Sequence, residues 1–443
     1  MRIMQVGTSN KYLLVWLKYG VVAILVLMPV QAVVVTWLRS LSPRFDLLLA
    51  WKEILLAVLC IPVSLLIARD ANLKRSLKRS PVVRLILLFT VLHIVLGIIH
   101  NSEIVARITG IALNLRFLAF YVMALIVGYY RPVSTQQLLR WLLVPALVVV
   151  GFGALQATVL PHDILRHVGY GPDTIRPFST VNEQRPDLVR INSTLRGPNP
   201  LGAYLLVPMC IALALMAKAK KNRDIPSWLI PLIIGLSLIT LFATYSRSAW
   251  IGLGVAGLVV AVLSARNYQQ TKVRAVGGVV IVLALLAFGF RHNHYVQNLI
   301  YHTDSSIHQT SSNQQHLTAL REGMRDLAQH PFGRGPGVAG PASRRLRILA
   351  PSISENYYLQ LGQEVGVLGI LLFVGIVFLV AVSLWVRRDS ALALGLLASL
   401  VGLSVVGLFL HVWADEDVAY IWWGLAGFVI SRPPKKSAIL SSS

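Results

Sequence analysis

The sequence predicts an all-α integral membrane protein of about twelve transmembrane helices, with both termini cytoplasmic and two long exterior loops that are partly helical. Three observations predict it. Of 443 residues, 56% are hydrophobic and only 13% charged, and the mean hydropathy is +0.67, whereas a soluble domain carries about 25% charged residues. The apolar residues fall in repeated runs near the length of about 20 that spans a bilayer. Every second connection between those runs is basic.

The runs cover residues 13–37, 46–67, 81–99, 104–128, 139–159, 201–217, 227–243, 248–264, 275–290, 357–386, 390–410 and 418–431. In hydrocarbon every backbone polar group needs an internal partner, so the runs are predicted helices. The first has no small-residue cleavage signal behind it and is read as a retained anchor. Residues 1–443 are thus expected to form a single polytopic domain. The basic connections hold Arg69, Lys74, Arg75, Lys78 and Arg79; Arg131 and Arg140; Lys218, Lys220, Lys221 and Arg223; Arg266, Lys272 and Arg274; Arg387 and Arg388; and Arg432, Lys435 and Lys436. The positive-inside rule puts them on the cytoplasmic side.

The formal charge of +23 has no basic helix or aromatic-interleaved patch to accompany it, so nucleic acid is not an expected partner. Cys60 and Cys210 both sit inside apolar runs and define no disulfide or metal site. The exterior loops, 160–200 and 291–356, hold twelve arginines and no lysine. Guanidinium grips phosphate through a bidentate fork where ammonium is a point charge. The exterior therefore reads as a surface for diphosphates or acidic sugars; the alternative is that the arginines balance acids such as Asp187, Glu322 and Asp326.

Four motifs carry the functional reading. The first is Arg190-Ile-Asn-Ser-Thr-Leu-Arg-Gly-Pro-Asn-Pro-Leu-Gly-Ala-Tyr204. Its prolines open a helix where their missing N–H groups cost nothing, which sets Arg190 and Arg196 beside a helix N-terminus that attracts anions. The alternative is a capped helix start with solvated arginines. The second, Thr244-Tyr-Ser-Arg-Ser-Ala-Trp250, puts Arg247 at the membrane boundary, where it either snorkels to headgroups or marks a functional site. In the third, Leu317, Leu320, Met324 and Leu327 recur at helical spacing after His316, leaving His316, Arg321 and Arg325 off that stripe. His330-Pro-Phe-Gly-Arg-Gly-Pro-Gly337 then ends the helix; no strand precedes its glycines, so it is not a dinucleotide loop. The fourth runs from Ser352 through Glu355 and Asn356 to Gly369. Ser352 and Glu355 have capping-box spacing, and Glu355 is equally a candidate general base. Arg116 falls near mid-bilayer, with Glu53 as the expected ion-pair partner. Asp415-Glu416-Asp417 is expected to be a solvated turn rather than a metal site.

The blocks Ser193-Thr-Leu-Arg-Gly-Pro-Asn-Pro-Leu-Gly202, Ser246-Arg-Ser-Ala-Trp250, Pro331-Phe-Gly-Arg-Gly335, Glu355-Asn-Tyr-Tyr-Leu359 and Glu364-Val-Gly366, in this order and on one side of the membrane, resemble the O-antigen ligase/polymerase superfamily. The resemblance implies a twelve-helix, metal-independent, inverting glycosyltransferase without a cofactor. It would sit in a bacterial inner membrane with its active site facing the periplasm or cell exterior. Its donor would be an undecaprenyl-diphosphate-linked glycan and its acceptor a glycan, lipid or protein hydroxyl. Carried onto this chain, Arg196, Arg247, Arg190 and Arg321 would hold the donor diphosphate. Glu355 or His316 would take the acceptor proton, and Asn356, Glu364 and Arg116 would support them. The chain departs from the family's pattern at Glu355, where ligases carry histidine, and at His316, where the large-loop arginine of the family falls. A polymerase within the family and a secondary transporter of a phosphorylated or glycan-lipid substrate are the rival readings; no duplicated half supports the transporter.

Overall fold

The computed structural model describes residues 8–42, 48–100, 102–182, 185–218, 226, 228–264, 312–346 and 352–432. The helices in these residues are α1 (Thr8–Leu27), α2 (Gln31–Leu41), α3 (Trp51–Arg69), α4 (Ala71–Arg79), α5 (Pro81–Ile99), α6 (Ile104–Tyr130), α7 (Thr135–Thr158), α8 (Pro198–Ala217), α9 (Leu229–Ala243), α10 (Arg247–Leu263), α11 (Ser312–Gln329), α12 (Tyr357–Trp385), α13 (Ala391–Val406) and α14 (Glu416–Ile430). Seven helical stretches among the described residues are long and apolar enough to cross a membrane, and three shorter apolar helices, α9, α10 and α13, accompany them. Eleven of the twelve expected runs coincide with helix; the ninth, 275–290, lies outside the described residues. The first run is continuous but for a 3₁₀ turn, Met28–Val30, at Pro29, whose ring removes a backbone donor. The polar helix α4 is capped by Asp70, which accepts from Asn72 N (2.9 Å) and Leu73 N (3.0 Å).

Between apolar helices in lipid, close van der Waals packing replaces the hydrophobic effect, and small residues permit it. A Cβ on Gly202 of α8 would meet Ala249 and Ser246 of α10, so the first turns of those helices lie side by side. Helix α13 packs between them in the opposite sense. A Cβ on Gly252 would come within 2.9 Å of Gly402 O, and one on Gly402 within 2.6 Å of Gly252 O. Helices α6 and α14 run in the same direction: a Cβ on Gly427 would meet Tyr121 O at 2.4 Å, and one on Gly128 would meet Phe428 O at 2.7 Å. An aromatic layer locks this pair to α12, with ring centroids 5.5 Å apart for Phe117–Trp423, 5.1 Å for Trp422–Trp423 and 6.4 Å for Phe373–Trp423. Such pairs contribute about 0.5–1.5 kcal/mol each beyond the area they bury.

The starts of α8, α10, α12 and α14 thereby gather at one end of the bundle, where Tyr357 N donates to Gly407 O just past α13 (2.9 Å). Basic residues meet at the other end. Arg432 donates to Val133 O (2.7 Å), Arg387 Nε to Arg432 O (2.8 Å), and Lys218 to Arg388 O. Lys218, Arg387, Arg388 and Arg432 all belong to the basic connections read from the sequence.

The loop 160–200, expected to be exterior, differs from expectation in one respect. Besides a short 3₁₀ turn, Ile164–Val168, it forms an antiparallel hairpin of Ser179–Asn182 and Arg185–Arg190, with Ser179 opposite Arg190 and Thr180 opposite Val189. Thr180, Val181 and Val189 supply the β-branched residues that favour strands. Residues 191–195 then run inward and are almost wholly buried, with Ser193 N donating to Gln156 Oε1 (2.9 Å) and Ser193 Oγ to Val149 O (2.7 Å).

Candidate active site

Four non-glycine residues in the described chain have positive φ, and three of them stand just before the motif helices: Ser193 ahead of α8, Tyr245 ahead of α10 and Glu355 ahead of α12, each at φ 50°. A left-handed backbone at a residue with a Cβ costs roughly 1–2 kcal/mol. Such outliers cluster where the surrounding structure dictates side-chain direction. The three sharp turns deliver Arg196, Arg247 and Glu355 to the same end of the bundle.

Arg190 and Arg247 share one turn. Arg190 Nε donates to Thr244 O (2.8 Å), its Nη2 donates to Asn199 Oδ1 (2.5 Å), and Ile191 N bonds Ala243 O (3.2 Å). Burial, and then the neighbouring Arg247 guanidinium, push Arg190 down to about 10. Two guanidinium groups in mutual repulsion make a site that gains from an anion. Arg196, 41% exposed, pairs with Asp415. Burial raises the Asp415 carboxyl above its ordinary value, against the pull of Arg196.

The acidic triplet corrects a sequence expectation. It is not a solvated turn: Asp417 is 1% exposed, and Glu416 accepts from Arg116 Nη1 (3.0 Å), pairs with Lys52 (3.2 Å) and is bonded by Gln31. Arg116 meets Glu53 at 2.7 Å, the ion pair that the sequence suggested, and also donates to Ala414 O (3.1 Å). Opposite charges in low dielectric have no water to turn to, so they collect one another. The outcome is a ladder from Lys52 and Arg116 through Glu416 to Asp415 and Arg196, which fixes the start of α14 beside Arg196.

Glu355 and His316, named as alternatives from sequence, are in direct contact through Glu355 Oε2 and His316 Nδ1. Both are partly exposed, at 41% and 38%, and so open to an incoming molecule. The capping-box alternative for Glu355 is overturned: α12 is capped by Asn356, whose Oδ1 accepts from Leu359 N (3.0 Å). Asn356 Nδ2 also donates to Leu408 O (2.9 Å). Ser352 Oγ instead accepts from Gln363 (3.2 Å).

Glu364 is fully buried. Its carboxylate accepts from Asn114 Nδ2 (2.6 Å) and Gly337 N (2.9 Å). His93 stands behind it. His93 Nδ1 bonds Phe89 O (2.9 Å) and must carry the proton there, so Nε2 accepts from Asn114 (3.2 Å). The glycine-rich segment is also held by Arg334 N to Gln363 O and Gly335 N to Glu364 O, both 2.9 Å. Asp326 of α11 joins it, accepting from Arg334 (2.6 Å) and Gln363 (2.8 Å) through Oδ2. At Gly366, φ 72°, α12 breaks its regular path, and Val367 N reaches Pro331 O (2.9 Å). Glu364 thus clasps the glycine-rich segment to α6, and Asp326 ties α11, which carries His316, to the same segment.

Arg321 is exposed on α11 and makes no ion pair among the described residues. Of the apolar stripe on that helix, Leu327 packs against Gly362, whereas Leu317 and Met324 are exposed. Sequence reasoning missed His411, Asn114, His93 and the structural use of the acidic triplet. Lone polar residues inside apolar helices were the available signal for Asn114 and His93. Nothing local marks His411.

An apolar groove of about 740 Å³ of empty space, its open mouth included, runs between α7, α8, α9 and α14, lined by Pro29, Leu142, Pro145, Tyr204, Ile233 and Ile421 among others. Thr194 donates to Pro29 O (2.6 Å), which ties the buried turn before α8 to one end of this groove.

Comparison with known families bears on this arrangement. Residues 232–374, roughly a third of the chain, match the family model described as O-antigen ligase. The match supports the resemblance to the O-antigen ligase/polymerase superfamily, and the helices agree with a membrane enzyme of that kind. It includes Arg247, His316, Glu355 and Glu364, and leaves out Arg190 and Arg196. No curated protein matches the chain.

Proposed function

We propose that this chain is a membrane glycosyltransferase that moves or polymerises a glycan from an undecaprenyl-diphosphate carrier onto an acceptor hydroxyl at the exterior membrane face. One observation carries the reading: Arg190, Arg196, Arg247 and the Glu355–His316 pair lie at one end of the bundle, and an apolar groove suited to an isoprenoid tail reaches toward that end at Pro29 and Tyr204. Arg196, Arg247 and Arg190 hold the diphosphate, with Arg321 approaching from α11. The Glu355–His316 pair takes the proton of the acceptor O–H. The freed oxygen attacks the anomeric carbon from the face opposite the leaving group, and the sugar–phosphate bond breaks. Its electron pair goes to the diphosphate, whose charge the guanidinium groups stabilise without rearranging. This course inverts the anomeric centre and asks for no metal. Ligation to another lipid, glycan or protein and extension of glycan on the carrier share this chemistry. The active site would face the periplasm or cell exterior from a bacterial inner membrane.

The test is transfer of labelled glycan from a lipid-diphosphate donor by the full-length protein in detergent. Losing a charge-assisted bidentate contact costs about 1.5–3 kcal/mol, so Arg247→Lys should lose roughly 10- to 100-fold in kcat/KM for donor while melting like the parent protein. A fully active Arg247→Lys variant would show that the diphosphate is bound elsewhere.

A further inference from the structure

Of the buried imidazoles among the described residues, His93 is hydrogen-bonded at both nitrogens, and His411 at neither. His411 lies in loop 407–415 between α13 and α14, and both its ring nitrogens are shut off from solvent with no hydrogen-bond partner among the described residues. A buried polar atom without a partner is costly and calls for an explanation, a ligand that completes it being one. The backbone is fixed: His411 O accepts from Ala414 N (2.9 Å) and Asp415 N (3.2 Å). The same loop anchors the start of α12 through Gly407 O and Leu408 O and carries Asp415, the partner of Arg196. The loop that carries His411 thus joins the start of α12 to the partner of Arg196, and Glu355 is near enough to act on the imidazole electrostatically. Burial holds its imidazolium down to about 4, with Glu355 pulling upward and Arg344 pushing further down. The ring is neutral near pH 7, with one donor and one acceptor nitrogen. That pair complements a hydroxyl, which both gives and takes a hydrogen bond; a phosphate oxygen only takes one.

We propose that His411 is a binding position for a neutral sugar hydroxyl of the acceptor, holding it against the Glu355–His316 pair. The proposal rests on the glycosyl-transfer reading above. It is tested with full-length protein in detergent, radiolabelled lipid-linked glycan from cells lacking this chain as donor, and the unlabelled surface-glycolipid fraction of the same cells titrated as acceptor. His411→Phe, which keeps a ring but no polar atom, should raise the acceptor KM about tenfold or more, the worth of one or two neutral hydrogen bonds. Donor KM and the pH profile should stay put, and His411→Gln should recover most of the loss. If the Phe variant is not obtained folded, His411→Ala with and without added imidazole replaces it, and imidazole should restore the acceptor KM. The proposal is overturned if Phe serves as well as Gln, if donor KM moves instead, or if the pH profile shifts. A folded wild-type protein that transfers nothing would bring down the transfer reading itself. An active wild type with an unaltered His411→Phe variant would sink this proposal alone.

Discussion

Replacing Glu364 probes the clasp on the glycine-rich segment. Its two carboxylate oxygens satisfy the Asn114 amide at 2.6 Å and the Gly337 N–H at 2.9 Å. In Glu364→Leu both donors stay buried and lose their acceptor, at about 1–3 kcal/mol each, or about 2–6 kcal/mol together. Glu364→Gln retains one acceptor oxygen but turns an NH2 toward one of the donors, and should cost about half as much. Every 1.4 kcal/mol is a tenfold change in an equilibrium, so even the milder variant should open the glycine-rich segment at least severalfold more often. The assay is already present in the chain: Cys210 is buried and Cys60 exposed, so a thiol-reactive dye that labels a second cysteine on heating reports unfolding. Melting temperature should fall in the order wild type, Gln, Leu, and proteolysis between residues 330 and 340 should quicken in the same order. A Leu variant that melts with the parent protein and resists protease equally would refute the clasp.

Two further outcomes follow from the geometry. Gly337→Ala should fail to accumulate as folded protein, because φ there is 88° and an added Cβ would lie 2.1 Å from Ala106 O; recovery of a normally melting Ala variant by size-exclusion chromatography would contradict the described path. Acid should weaken the fold through His411. Unfolded, the ring takes a proton near 6.5, but folded it stays neutral down to about 4. Its contribution is therefore complete above about pH 6.5 and fades as pH falls toward 4, by at most about 3 kcal/mol. Melting curves from pH 7.5 to 4.5 should show this acid limb, and it should be shallower in His411→Gln.

Much of the architecture was legible before any coordinates. Apolar runs reappear as helices because bilayer length and backbone satisfaction leave few choices, and Arg387, Arg388 and Arg432 from the basic connections lie together at one end. The Arg116–Glu53 pair was legible for the same reason: a mid-bilayer charge needs an opposite one. The acidic triplet was misread because its partners Lys52, Arg116 and Arg196 are distant in sequence, and adjacency of three acids ordinarily signals exposure. The Asn356 cap displaced the Ser352–Glu355 alternative because Glu355 takes up the left-handed backbone that a helix start one residue later requires. His411 was invisible because its meaning depends on which helices close over it.

The three left-handed turns have a consequence for engineering. Glycine would relieve the left-handed strain at positions 193, 245 and 355, but at 193 it would also remove the buried Ser193 Oγ–Val149 O bond, so position 355, with its partly exposed side chain, has the most to gain. A screen for thermally tougher variants is expected to drift toward glycine at position 355. Glu355→Gly would then stand out as the change that hardens the fold while silencing it.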